Sequence, residues 1–164
     1  MTLESFFYAY LWGMVILGVG IFITLQFITP AYGMTYNNRW GASISSRWGW
    51  LIMETPVFVI MLIIYLNSLL TGVKPFNIVT FIFLLIFQTH YLQRSFIFPA
   101  LMKGQSRMPL SIMFAGIFFN ASNAFIQGGW LFMFAPANAY PISWFWSPQF
   151  IIGCVLFFIG MVIN

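Results

Sequence analysis

The sequence predicts an all-α membrane protein, a bundle of helices that cross a lipid bilayer. Hydrophobic residues make up 62% of its 164 residues and charged residues only 5%. A soluble domain carries roughly a quarter charged residues, so this chain could not cover a surface that faces water. Five apolar runs follow one another along the chain, and crossing a bilayer takes about 20 such residues. These observations predict a single transmembrane domain over residues 1–164.

Each apolar run is bounded by polar or turn-forming residues. The first run has no positively charged start and no cleavage site, and it is too long for a signal peptide, so we interpret it as a retained helix. The third run is apolar only in its first half and then becomes polar. The predicted spans cover residues 6–28, 50–70, 76–87 with the polar stretch that follows, 109–134 and 148–164.

The positive charges predict how the bundle is oriented. Cytoplasmic loops of membrane proteins carry an excess of Lys and Arg. Lys74 is the only positive residue on one side of the predicted bundle, so that side, with the N-terminus, is expected outside. The net charge of +4 is better explained by lipid headgroups or a phosphorylated cofactor than by nucleic acid. The opposite, cytoplasmic side carries Arg39, Arg47, Arg94, Lys103 and Arg107.

The last residues of the sequence still have the pattern of a helix. Residues 160–164 contain no cap, no charged anchor and no polar tail. We therefore expect the sequence to be a fragment, truncated at its C-terminal end. Its single cysteine, Cys154, lies in an apolar run without a metal-ligand pattern and is expected to be a small buried residue. No metal site is predicted.

Glu54 is the most informative residue, because it lies inside or at the edge of an apolar span. A carboxyl group in hydrocarbon is costly, so an acid in a membrane span is by default a candidate for function. Burial favours its neutral form, which can donate a hydrogen bond to an oxygen of a substrate. The alternative is an interfacial Glu54 that pairs with Arg47, about two turns earlier.

A second polar cluster occupies the end of the third span, residues 88–94. On a helix, Tyr91 and Arg94 share a face, and His90 lies one turn from Arg94. Arg94 has no acidic neighbour in sequence, so its partner would be a phosphate or Glu54. The phenol of Tyr91 could polarise a carbonyl group. Alternatively, this is a hydrated helix end from which Arg94 extends to the interface.

A third feature is a polar stripe on the fourth span, formed by Asn120, Asn123 and Gln127. Spacings of three and four residues place these amides on one helix face. Such a stripe either lines a polar pocket or joins helices by hydrogen bonds, and the second use is the commoner one. By the predicted orientation, Glu54 and Tyr91 lie at similar depth near the cytoplasmic side. No glycine-rich phosphate loop and no Ser/His/Asp set is present in the sequence.

Three stretches combine these residues in a fixed order. The first has Tyr32-Gly33, then Arg47-x-x-Trp50-x-x-x-Glu54-x-Pro56. The second has His90-Tyr91-x-x-Arg94, then Lys103-Gly104 and Met108-Pro109. The third has Asn123-x-x-x-Gln127-Gly128, then Gly160-Met161-x-Ile163-Asn164. In order and separation the three resemble the steroid 5α-reductase family, over the chain from about residue 32 to its end.

The resemblance implies a seven-helix membrane enzyme that uses NADPH to reduce the C4–C5 double bond of a 3-oxo-Δ4-steroid. By that resemblance Glu54 and Tyr91 are the catalytic residues, and both hydrogen-bond the C3 carbonyl oxygen. The other matched positions are assigned to cofactor binding (Tyr32, Arg94 and Asn164) and to substrate binding (Trp50, Phe119 and Asn123). The membrane would be a bacterial inner membrane or the endoplasmic reticulum, and the oligomeric state is open.

The sequence also departs from the family pattern. Thr55 stands where the family has Leu, Met53 where it has Gln, and the stretch from Lys103 to Pro109 is slightly longer. The family continues beyond the position of Asn164 with a His-Ser-Asp motif, a basic run and two more helices. Two alternatives stay open: a reductase of another conjugated lipid, such as a polyprenol or an enoyl thioester, and a non-catalytic membrane scaffold or transporter.

Overall fold

The computed structural model of the chain describes residues 2–30, 35–36 and 38–163, and of Asn38 only the backbone. Two predicted cofactor residues, Tyr32 and Asn164, lie outside the described residues. The described part is a helical bundle, which confirms the predicted fold class. Its α-helices are α1 (Leu3–Leu25), α2 (Ser46–Thr71), α3 (Ile78–Leu92), α4 (Phe98–Leu101), α5 (Leu110–Gly129) and α6 (Pro148–Ile163).

Within the described part of the chain, three helices are long and apolar enough to cross a membrane. They are Leu3–Leu25, Ser46–Leu70 and Leu110–Phe134. The other two predicted spans correspond to α3, with 15 residues, and α6, with 16. α3 continues through a π-helical turn, Gln93–Ile97, into α4 without a break. The chain thus has helices at all five predicted places, and five membrane crossings remain a prediction.

Local sequence explains where several helices begin and end. Thr2 caps α1, because its hydroxyl oxygen accepts a hydrogen bond from the Ser5 N–H at 3.1 Å. Asn77 caps α3 in the same way through the N–H groups of Val79 and Thr80. α2 ends at Gly72, whose φ of 67° is a left-handed conformation that glycine adopts without strain. The end of α2 at Gly72 and the cap of α3 at Asn77 fix the short connection between these two helices.

A two-stranded ribbon, which the sequence pattern did not reveal, joins the starts of α2 and α5. Strand β1 (Ser43–Ser45) pairs antiparallel with β2 (Arg107–Pro109). The guanidinium of Arg107 donates to the hydroxyl and carbonyl oxygens of Ser43 at 2.9 and 2.7 Å. Since each strand directly precedes a helix, the ribbon holds the N-termini of α2 and α5 side by side.

The centre of the bundle is the contact between α2 and α5, the most extensive helix pair. Glycines make this close approach possible: a Cβ at Gly116 would clash with the sulfur of Met53, and one at Gly128 would lie 3.0 Å from that of Met61. Small residues let helix backbones approach closely in membranes. The buried core cluster consists of Val57, Met61, Leu84, Ala124 and Phe132.

Among the described residues, α1 packs against the bundle mainly through its N-terminal half. Phe7 is buried and packs on the rings of Phe125 and Phe134. The hydroxyl groups of Tyr10 and Ser122 are hydrogen-bonded at 2.6 Å. Beyond these contacts α1 is largely exposed, and Gly13, Gly18 and Gly20 have no atoms near enough to contact an added Cβ. The second half of α1 therefore stands apart from α2 and α5.

The predicted orientation can be tested with single cysteines in a protein whose Cys154 is replaced by Ala. We expect an impermeant thiol reagent, added from outside intact cells, to label Thr2→Cys and leave Ser106→Cys unlabelled. The reason is the excess of positive charge in the loops on the side of Ser106. Labelling of Ser106→Cys only after the membrane is permeabilised is the control, and labelling before that would contradict the orientation.

Candidate active site

Proline 56 lies inside α2, two residues after Glu54. A proline in a helix has no N–H for the carbonyl four residues earlier, which loosens the helix there. In membranes, side chains of neighbouring helices stabilise such backbone. Here the amide of Asn120 donates to the Met53 carbonyl at 2.9 Å, and the Ser95 hydroxyl to the Glu54 carbonyl at 3.0 Å. Both donors fix the backbone that carries Glu54.

Glu54 forms an ion pair with Arg94. The Nε of Arg94 donates to Oε1 of Glu54 at 2.8 Å, and Glu54 is only 3% exposed. The guanidinium also lies over the ring of Trp50, 4.9 Å from its centre. The partner of Glu54 is therefore Arg94 and not the alternative, Arg47. About a third of the Arg94 side chain stays exposed, and its predicted role in cofactor binding remains a prediction.

The π-helical turn after α3 positions Arg94 and Ser95, and the sequence analysis missed both the turn and Ser95. The Phe98 N–H bonds to the Gln93 carbonyl, five residues back. Pro99 has no N–H to offer the Ser95 carbonyl, four residues back, so an α-helix could not continue there unchanged. Pro99 lies at the start of α4, which follows the π turn. Ser95 is fully buried, with its hydroxyl on the Glu54 carbonyl.

A cavity of about 700 Å³, called here the Glu54 cavity, opens beside this ion pair. Ile21 and Leu25 of α1 line one side of it, where α1 stands away from the bundle. The cavity brings together five residues to which the family resemblance assigns roles, from three different parts of the chain. These are Trp50, Glu54, Tyr91, Arg94 and Phe119. Their catalytic, cofactor and substrate roles remain predictions.

Tyr91 also borders a second cavity, of about 590 Å³, between α3, α5 and α6. Asn123 lies in this second cavity and donates its side-chain N–H to the Tyr91 hydroxyl oxygen at 2.8 Å. Asn123 does not line the Glu54 cavity, and its contact with the substrate remains a prediction. His90 and Tyr91 line both cavities, so they form part of the wall between them.

The polar stripe on α5 serves both uses that its spacing allows. Asn120 is buried and joins α5 to α2 through the Met53 carbonyl. Asn123 joins α5 to α3 through Tyr91, and together with Gln127 it lines the second cavity. Over residues 2–30, 35–36 and 38–163, no cluster of His, Cys, Asp and Glu could hold a metal ion.

Comparisons with known proteins bear on this site. A family model described as 3-oxo-5-alpha-steroid 4-dehydrogenase matches residues 106–164. Steroid 5-alpha-reductase DET2 of Solanum lycopersicum is 30% identical over 165 residues, which is 98% of this chain and 62% of that protein. The chain is therefore similar to proteins named steroid 5-alpha-reductase over nearly its whole length. The family resemblance that the three motifs indicated is thus confirmed.

Mammalian members of the steroid 5α-reductase family match as well. 3-oxo-5-alpha-steroid 4-dehydrogenase 1 of Bos taurus is 28% identical over 148 residues, 90% of this chain and 56% of that protein. The chain spans about three fifths of the length of these curated relatives. Because the tomato protein aligns with 98% of the chain, the similarity includes the segments that carry Glu54 and Tyr91.

Proposed function

We propose that the complete protein containing this chain is an NADPH-dependent reductase of the C4–C5 double bond of 3-oxo-Δ4-steroids. The observation that carries the proposal is the shared Glu54 cavity, which Glu54 and Tyr91 line from different helices. The similar proteins are named as steroid 5-alpha-reductases and 3-oxo-5-alpha-steroid 4-dehydrogenases, which supports the substrate class. The cavity's aromatic and aliphatic walls suit a rigid apolar ligand with one polar end.

The proposed chemistry assigns a role to each of these side chains. Hydride would arrive at C5, negative charge would develop on the C3 oxygen, and a proton from solvent would then add at C4. Donors aimed at that oxygen stabilise the transition state. Tyr91 would donate its phenolic proton. Glu54, which accepts the hydrogen bond from Arg94 through Oε1, would first take up a proton from solvent on Oε2 and then donate it in a hydrogen bond to the C3 oxygen. Trp50 and Phe119 would hold the steroid.

The residues present fit the phosphates of the cofactor. Arg47 and Lys103 are exposed, and the hydrogen bond from the Ser46 N–H to the Ser106 carbonyl brings their segments together. Arg94 lies deeper, at the Glu54 cavity. NADPH supplies hydride when it is bound. The basic side chains would attract and hold its negative charge at the end of the bundle nearest Glu54.

The proposal is tested with the complete protein in detergent or membrane vesicles. We expect NADPH to be oxidised in step with the formation of a 5α-reduced product from a 3-oxo-Δ4-steroid. A matched 3-oxo-5α-steroid, which lacks the double bond, should give no turnover. Turnover of a polyprenol or an enoyl thioester but not of the steroid would overturn the substrate class. No turnover with any of them would overturn the reductase itself.

A further inference from the structure

The hydrogen bond between α5 and α3 at Tyr91 has a direction that bears on the reaction. We propose that Asn123 is a positioning residue, which fixes the O–H of Tyr91 as a donor toward the Glu54 cavity. This inference rests on the proposed function, because it explains how the phenol presents its proton to the C3 oxygen. It replaces the predicted contact of Asn123 with the substrate.

The orientation of the Asn123 side-chain amide determines which group donates. The side-chain nitrogen of Asn123 lies 2.8 Å from the Tyr91 hydroxyl oxygen. An amide N–H only donates, so the phenolic oxygen is the acceptor in this bond. A phenol carries one proton, and that proton therefore remains for another partner. Within the described residues, Asn123 is the only hydrogen-bond partner of this hydroxyl.

The aromatic neighbours of Tyr91 pack against its ring but do not orient its hydroxyl hydrogen. The Phe87 ring lies 4.6 Å from the Tyr91 ring, and the His90 ring meets it edge-on at 5.0 Å. A phenolic hydrogen lies close to the plane of its ring, where it can take either of two orientations. Only a polar partner can remove this freedom. Asn123 does so by occupying an oxygen lone pair.

The location of Asn123 separates this role from direct contact with the substrate. Its side chain lines the second cavity, whereas Glu54 and Phe119 line the Glu54 cavity. Tyr91 and His90 line both. Asn123 therefore reaches the proposed reaction site through Tyr91. A side chain that can only accept a hydrogen bond at this position would turn the phenolic proton away from the substrate.

The test compares Asn123→Asp with Gln127→Glu in the complete protein. Both replace an amide by a carboxylate on the same face of α5, but Gln127 has no hydrogen bond to Tyr91 within the described residues. We expect Asn123→Asp to lower kcat for the steroid about 10²-fold, as for a lost donor to a developing oxyanion. KM should change little. Asn123→Ala should lose about tenfold, and Gln127→Glu should stay near wild type.

Repeating the substitution in the Tyr91→Phe variant distinguishes a positioning role of Asn123 from a general effect on folding. In Tyr91→Phe there is no hydroxyl to orient, so adding Asn123→Asp should cause little further loss of kcat. An equal loss in both backgrounds, or a wild-type kcat in Asn123→Asp, would overturn the proposal. If only these results fail while the wild-type protein reduces the steroid, the proposed function stands and the role of Asn123 does not.

A spectroscopic measurement tests the hydrogen bond between Asn123 and Tyr91 even if the protein does not reduce the steroid. Ultraviolet resonance Raman difference spectra, wild type minus Tyr91→Phe, report whether the Tyr91 oxygen accepts a hydrogen bond. We expect the acceptor signature in the wild type and in Gln127→Glu, and its loss in Asn123→Ala. An unchanged spectrum in Asn123→Ala would refute the geometry whatever the activity.

Discussion

Replacing Tyr91 by Phe is expected to lower steroid turnover by about 10²–10³ while NADPH affinity changes little. The change removes one hydroxyl group and keeps the ring, so packing on Phe87 is preserved. Glu54→Ala should lower turnover to a similar extent. Glu54→Gln should retain more activity than Glu54→Ala, because an amide keeps the shape and an N–H donor. Turnover and NADPH binding are measured separately on the complete protein.

The two residues are expected to act as a unit on one oxygen. Effects of residues that act together are not additive, so the double variant should be little worse than the poorer single variant. Phe58→Leu is a suitable control, since Phe58 lies on α2 but does not line the Glu54 cavity. Near wild-type reduction by both Glu54→Ala and Tyr91→Phe would show that the catalytic assignment is wrong.

Replacing Arg94 by Met should strongly destabilise the fold. The change leaves the buried carboxyl group of Glu54 without its partner, and breaking a buried ion pair from one side costs about 3–5 kcal/mol. We expect the lower end, about 3 kcal/mol, because part of the Arg94 side chain is exposed and already hydrated. The free energy of unfolding in detergent is the measurement.

The matched control for this change is Arg47→Met, the same substitution at an exposed position on α2. It should leave stability nearly unchanged. The double variant Glu54→Gln with Arg94→Met should recover part of the loss, since no unpaired charge remains in the bundle. Equal stability of Arg94→Met and the wild type would mean that the ion pair does not support the fold.

The sequence indicated the helices and the main candidate residues of the site because both depend on strong local signals. Long apolar runs set the helices, and a carboxyl group inside one of them drew attention to Glu54. Counting charges placed Glu54 and Arg94 at one depth, and the ion pair at 2.8 Å agrees with that placement. The choice between Arg47 and Arg94 as partner needed tertiary structure, because it depends on how α2 and α3 pack.

Other features were beyond what the sequence could predict. The ribbon of β1 and β2 has three residues in each strand and is formed between segments some 60 residues apart, so no local pattern marks it. Asn123 matched a family motif and a polar stripe, yet neither reveals which cavity its amide faces. That depends on the rotation of α5 against α3, which Tyr91 and its neighbours set.

The π-helical turn at residues 93–97 changes the register of everything that follows it. A π turn holds one residue more than an α-helical turn, and each residue of an α-helix advances it by about 100°. A helical wheel drawn through residues 78–101 therefore gives the wrong direction for Phe98 and Pro99. Phe98 instead meets the ring of Trp50 edge-on at 5.5 Å. One inserted residue thus lets a single continuous helix present two differently rotated faces to α2.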